Sequence, residues 1–147
     1  MDEQFYKTWL QGFEKGLEDM DSHSVSHLLS NCAKACANTG VLQMHRQHYG
    51  NVNEDRDQYY ATLEQLGNVK GEIIVPGKEY IITFPECTCD LHTSGGVNTV
   101  KLCECSRQSI LYIGNQLWKD EITEVECLET VLSGASECRF RVSFHNI

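Results

Sequence analysis

Glu124-Val125-Glu126-Cys127-Leu128-Glu129-Thr130-Val131-Leu132-Ser133-Gly134-Ala135-Ser136-Glu137-Cys138-Arg139-Phe140-Arg141-Val142-Ser143-Phe144 is the stretch that decides the fold of this chain. A β-rich run leads into a turn of small residues, Ser133 to Ser136, and then into a strand of strict alternation. Cys138, Phe140, Val142 and Phe144 fall on one face of that strand, Arg139, Arg141 and Ser143 on the other. Closing the hairpin carries Cys127 toward Cys138, with Glu124 a little earlier on the first arm. Two thiols and a carboxylate so placed can pack, form a disulfide or hold a metal. In an extended strand Glu124 and Cys127 face opposite sides, so joint coordination requires a bulge between them.

Working back from the hairpin, Ser106 is expected to cap a helix whose apolar positions are Ile110, Leu111, Ile113, Leu117 and Trp118. Ahead of it lie two Cys-x-Cys pairs, Cys87/Cys89 and Cys103/Cys105, separated by His92 and a Gly/Ser loop. On extended backbone each pair would present both sulfurs to one side. The usual zinc-ribbon spacing is Cys-x2-Cys, which these pairs do not match. Earlier still, 72–75 and 79–84 read as strands joined by the turn Pro76-Gly77-Lys78.

The first 70 residues read as helical. Phe5, Trp9, Phe13 and Leu17 recur every fourth residue over 2–18 and are expected to form a core face. A second helix from Asp21 or Ser22 to about Asn38 is expected to bury Val25, Leu28, Leu29, Cys32 and Cys36. Cys32 and Cys36, four apart, share a face and fit either a core stripe or half of a cluster site. His45 and His48 share a face of a short helix over 41–49. Asn53 is expected to cap a third helix running from Glu54 to Leu66, with Tyr59, Tyr60, Leu63 and Leu66 inward. Helices, hairpin, helix, hairpin describe an α+β domain over 1–147, with a helical part over 1–70 and a sheet-bearing part over 71–147.

The chain has 147 residues, 41% of them hydrophobic, and a net charge of −9. Lys and Arg are scattered, which argues against nucleic acid and anionic membranes as unaided partners. The acidic start is no signal peptide and no apolar run approaches a membrane span, so the chain reads as cytoplasmic. In a reducing compartment eight cysteines point to metal or redox chemistry ahead of disulfides, against a background in which many cysteines are small buried hydrophobes.

A cysteine, a helix of apolar and small residues, Glu124-Val125-Glu126-Cys127, a Gly-containing turn and Cys138-Arg139-Phe140 together resemble the 4-vinyl reductase-like ligand-binding domain. That domain is related to subunits of the TRAPP trafficking complex. The likeness spans about 71–147 and is sharpest over 124–140. More loosely, the chain resembles the family of L-2-amino-thiazoline-4-carboxylic acid hydrolase. The resemblance implies a domain enclosing a small apolar pocket, working as a homodimer and taking a small apolar molecule. It also implies zinc held by Glu124, Cys127 and Cys138, with Cys103 or Cys105 as the upstream ligand; Cys87 or Cys89 can replace Glu124.

Three functions are compatible with these residues. The first is a small-molecule-binding or sensory module with structural zinc, in which a closed four-ligand site contributes folding energy and no chemistry. The second is a small-substrate hydrolase with Cys87, Cys89 or Cys105 as nucleophile and His92 as base. It lacks a Gly-x-Ser-x-Gly elbow and a phosphate-cradling loop. The third uses Cys32, Cys36, Cys87 and Cys89 for an iron–sulfur cluster or redox sensing, although their spacing matches no common ferredoxin run.

Overall fold

The structure is a computed structural model that describes residues 2–87, 89–119 and 121–145, with the backbone alone at 123. Four strands, β1 (Lys70–Val75), β2 (Glu79–Phe84), β3 (Ile122–Glu129) and β4 (Cys138–Phe144), form one antiparallel sheet in the order β1-β2-β4-β3. The last strand in sequence is therefore central, and it obeys its alternation. Cys138, Phe140, Val142 and Phe144 are buried, while the residues between them are half-exposed. On the outer face Arg141 donates to Glu126 at 2.7 Å and reaches Glu79 at 3.5 Å, tying three strands together. Such exposed pairs are screened by solvent and add little; the inward side chains dominate.

The helices are α1 (Glu3–Asp19), α2 (Ser22–Cys36), α3 (Leu42–Asn51), α4 (Arg56–Ala61), α5 (Asp90–Thr93) and α6 (Glu104–Leu117). Asp2 and Asp21 cap the first two by accepting the backbone N–H of Phe5 and Ser24, each at 2.8 Å. A single π turn, Ala37–Val41, joins α2 to α3 and kinks at Gly40, whose φ of 129° only glycine adopts readily. Asn53 and Glu54 have φ of 57° and 59°, so they turn the chain rather than start the next helix. Asp55 caps α4 instead, accepting from the Gln58 N–H at 3.1 Å. A short 3-10 turn, Leu63–Leu66, completes the segment read as one helix.

Tyr59, Tyr60 and Leu63 meet the inner face of the sheet in the main core. Tyr60 stacks on Tyr80 with ring centroids 4.1 Å apart, and Trp118 meets Phe144 edge-on at 5.4 Å. The Arg56 guanidinium lies 3.9 Å above the Phe144 ring and pairs with Glu121. α6 packs between α2 and β3, and Val25 and Leu29 close a second cluster with Leu17 of α1.

Three expectations are corrected here. Phe5 and Trp9 are not core: they are 50% and 60% exposed, and of their stripe only Leu17 is buried. The C-terminal half of α1 carries its anchoring, with Glu14 accepting the N–H groups of Asn98 and Thr99 and Lys101 donating to the carbonyls of Glu18 and Met20. Cys32 and Cys36 are exposed, because the buried stripe of α2 follows Val25, Leu29 and Ala33. Finally, Cys103 and Cys105 are not on extended backbone. A 3-10 turn, Val100–Cys103, runs straight into α6, so the last helix starts at Glu104 and the two thiols point apart by roughly 200°. No helix among the described residues is long and apolar enough to cross a membrane.

His45 and His48 share a face as expected, and both meet Tyr59. The Tyr59 hydroxyl lies 2.6 Å from His45 Nδ1, and His48 Nε2 donates to the Tyr59 carbonyl at 3.2 Å. Burial first, and His48 second, push the His45 pKa down to about 4. The unfolded chain takes up this proton near its ordinary value of 6.5 and the folded chain does not, so stability falls as pH drops from about 6.5 to about 4. Chemical denaturation is expected to show a loss of up to about 3 kcal/mol over that window, flattened in His45→Gln. At Gly71 on β1, a Cβ would sit 1.9 Å from the Tyr60 carbonyl oxygen. Gly71→Ala is therefore expected to destabilise by about 2 kcal/mol or more in the same assay.

Candidate functional site

The thiols gather where the two hairpins and the start of α6 meet. Pairing of Phe84 with Cys138 brings the end of β2 beside the start of β4. Cys87 follows β2 by three residues, and Cys89 stands at the N-cap of α5. Cys103 ends the 3-10 turn that feeds α6. Cys87, Cys89, Cys103 and Cys138 thus line one cavity of about 40 Å³, floored by Phe84, Leu102, Leu132 and Phe140. Thr130 on its wall caps the 3-10 turn Val131–Ser133 through a reciprocal capping box, so the hairpin leaves its first strand earlier than the Ser133–Ser136 turn expected from the sequence. Cys138 Sγ accepts the Val131 N–H at 3.3 Å.

Cys103 also borders a wider groove of about 220 Å³, whose opposite walls carry Cys127, Lys101 and Glu104. Burial alone would raise the Glu104 pKa. Hydrogen bonds from Arg107, Gln108 and Ser26 outweigh it and hold the carboxylate down at about 2. Arg107 also donates to the Val125 carbonyl at 3.1 Å, fixing α6 to β3.

The ligand set implied by the resemblance is spread over these surfaces. The bulges of β3 fall at 122–124 and 127–129, outside the interval from Glu124 to Cys127. Glu124 accordingly pairs with outward-facing Ser143, while Cys127 sits opposite Phe140 and looks into the groove. Cys138 lines the cavity, and Cys105 packs against the Leu17–Val25–Leu29 cluster with Cys89, Cys32 and Cys36 as neighbours. All eight cysteines are free. As placed, no three His, Cys, Asp or Glu side chains among the described residues are grouped to hold a metal ion. Reading the sequence as two extended Cys-x-Cys pairs hid the partnership of Cys87, Cys89, Cys103 and Cys138. Thr99, four residues before Cys103, is the missed signal: its hydroxyl accepts the Lys101 N–H and opens the helical turn.

The electrostatics run against an activated nucleophile. Burial pushes Cys103 up to about 11, with the Thr130 hydroxyl acting against it and Cys138, Cys127 and Cys87 adding to it. Burial likewise takes Cys105 to about 12, and raises Cys89, Cys127 and Cys138. These groups are neutral thiols at pH 7, and the thiolate is the nucleophile. His92, three residues from Cys89, commits its Nδ1–H to the Val97 carbonyl at 2.9 Å.

No family model matches the sequence, and no curated protein matches it. Among solved structures the chain is similar to the crystal structure of a trafficking protein particle complex subunit 3 from Naegleria fowleri covalently bound to palmitic acid. The identity is 13% and the TM-score 0.44, over 98% of this chain and 95% of that chain. A likeness of that strength assigns neither ligand nor partner here.

Thiol accessibility gives a direct check. With an aromatic disulfide reagent at pH 7, the exposed Cys32 and Cys36 are expected to react first. Cys103 and Cys105 are expected to react at least ~100-fold more slowly, and faster as pH rises toward their shifted values. Site-by-site mass spectrometry reads the order.

Proposed function

We propose that this chain is a binding module whose centre is the cavity bordered by Cys87, Cys89, Cys103 and Cys138, and that its occupant is a thiophilic cation of the zinc class. One observation supports this above the others: four thiols from three segments of the chain line a single space of about 40 Å³. A cavity of about 150 Å³ is needed to take benzene, and ligand pockets for larger molecules start near 300 Å³. A space of this size suits a single ion or water. The donor chemistry fits as well, because soft thiolates select zinc or copper(I) over hard cations. Zinc held by four thiolates would contribute folding energy and tie the hairpins to α6. Binding would draw the thiols inward by side-chain rotation.

The hydrolase alternative has less support, since burial raises the Cys89 thiol near His92 rather than lowering it and His92 is engaged elsewhere. An iron–sulfur set built from Cys32, Cys36, Cys87 and Cys89 would need exposed α2 thiols to join cavity thiols.

Elemental analysis of the full chain, purified with zinc present, tests the proposal. About one zinc per chain is expected, lost in Cys103→Ser and Cys138→Ser but kept in Cys32→Ser. Because thiols bind zinc as thiolates, loading at pH 7 should release roughly three to four protons, and affinity should fall steeply below that pH. Metal-free protein whose stability is indifferent to zinc and chelator would overturn it. So would zinc retained undiminished in a Cys103→Ser/Cys138→Ser double variant that remains folded.

A further inference from the structure

α2 leaves two thiols in the open on the face that it otherwise buries. At about 100° per residue, Cys32 and Cys36 point about 20° to either side of Val25. Val25 and Leu29 are covered by Phe13 and Leu17 of α1 and by Cys105. Beyond Leu29 the same face runs on uncovered, and both thiols are exposed. Cysteine is among the residues most often buried, so two of them in water on one helical face are unusual. Their exposure removes packing as the reason for either.

We propose that Cys32 and Cys36 form a second metal site, separate from the cavity, that holds copper(I) between two thiolates. Residues four apart on a helix have Cβ atoms about 5–6 Å apart. With metal–sulfur bonds of ~2.3 Å, two sulfurs in line through an ion stand roughly 4.6 Å apart, a span these side chains reach by rotation about χ1. Donor number separates the candidate ions. Zinc takes four ligands, and among the described residues no third His, Cys, Asp or Glu is grouped with these thiols. Copper(I) is soft and is satisfied by two sulfurs in line. Ser22–Cys36 includes no carboxylate, and His27 and Lys34 project from the opposite side of the helix, so hard cations find no donors here. Cys105 lies near both thiols but stays packed in the Leu17–Val25–Leu29 cluster. Binding breaks two S–H bonds and forms two Cu–S bonds, sending both protons to solvent and leaving the site with one negative charge. Both sulfurs face solvent, so a thiol from outside can approach the ion, and the site suits exchange more than storage.

Anaerobic titration of the full chain with copper(I), in competition with a bathocuproine-type chelator, tests this. Cys32→Ser/Cys36→Ser should bind about one copper fewer than the parent and keep its zinc content unchanged. That difference is read whether or not the cavity holds a metal. Either single serine variant should hold this copper at least ~100-fold more weakly, because the second thiolate no longer acts at high effective concentration. Lys34→Cys/Cys36→Ser is the discriminating variant. It keeps two exposed thiols on α2 but sets them roughly 200° apart, so it should lose the copper as fully as the double serine variant. Circular dichroism melts confirm that these variants fold. Copper binding that is unchanged in Cys32→Ser/Cys36→Ser, or retained in Lys34→Cys/Cys36→Ser, overturns the proposal. Zinc content that falls by about one in the double serine variant overturns it in favour of a zinc site. Equal loss of copper in a folded Cys105→Ser variant overturns the two-thiol assignment.

Discussion

Everything in this structure depends on β4 being paired on both sides. Its backbone is bonded to β2 along one edge and β3 along the other, so its alternation is read by two hairpins at once. A slip of one residue would expose Phe140, Val142 and Phe144 and bury Arg139 and Arg141, a cost no surface pair could offset. The register is therefore rigid, and it carries Cys138 to a fixed point beside Phe84.

From that point the cavity follows. The chain leaving β2 supplies Cys87 and Cys89, and the turn entering α6 supplies Cys103, with Arg107 holding α6 to the backbone of β3. Placing several thiols in partly buried surroundings raises their pKa values, which leaves them protonated at pH 7 and removes nucleophilic power. Desolvation of these thiols thus argues against cysteine catalysis. α1 is the counterpart of this rigidity. It is fastened at its C-terminal half and presents uncharged aromatic and glycine surface along the other side.

Much of this architecture was legible in the residues. The alternation from Cys138 to Phe144, the turn at Pro76-Gly77-Lys78 and the cap Asp21 each act through local backbone geometry, which sequence encodes directly. Tyr59, Tyr60 and Leu63 were legible as core for the same reason: their spacing matches one helical face. Where the pattern misled, the cause was a partner that sequence does not display. Phe5 and Trp9 have the periodicity of a buried stripe, and periodicity says that a face is apolar without saying what covers it.

The sequence by itself determined the α+β class, the two hairpins around a helix and the inward face of β4, because these rest on periods of two and 3.6 residues and on local turns. Only the tertiary structure decided which cysteines share a space. Cys103 and Cys105 are two apart in sequence and diverge because helical backbone separates them, while Cys103 and Cys138 are distant in sequence and line one cavity. Glu124 and Cys127 remain on opposite faces because the bulges that could have united them lie to either side. Side-chain convergence between segments is set by strand register and helix start, and both are fixed by contacts that long stretches of intervening chain separate.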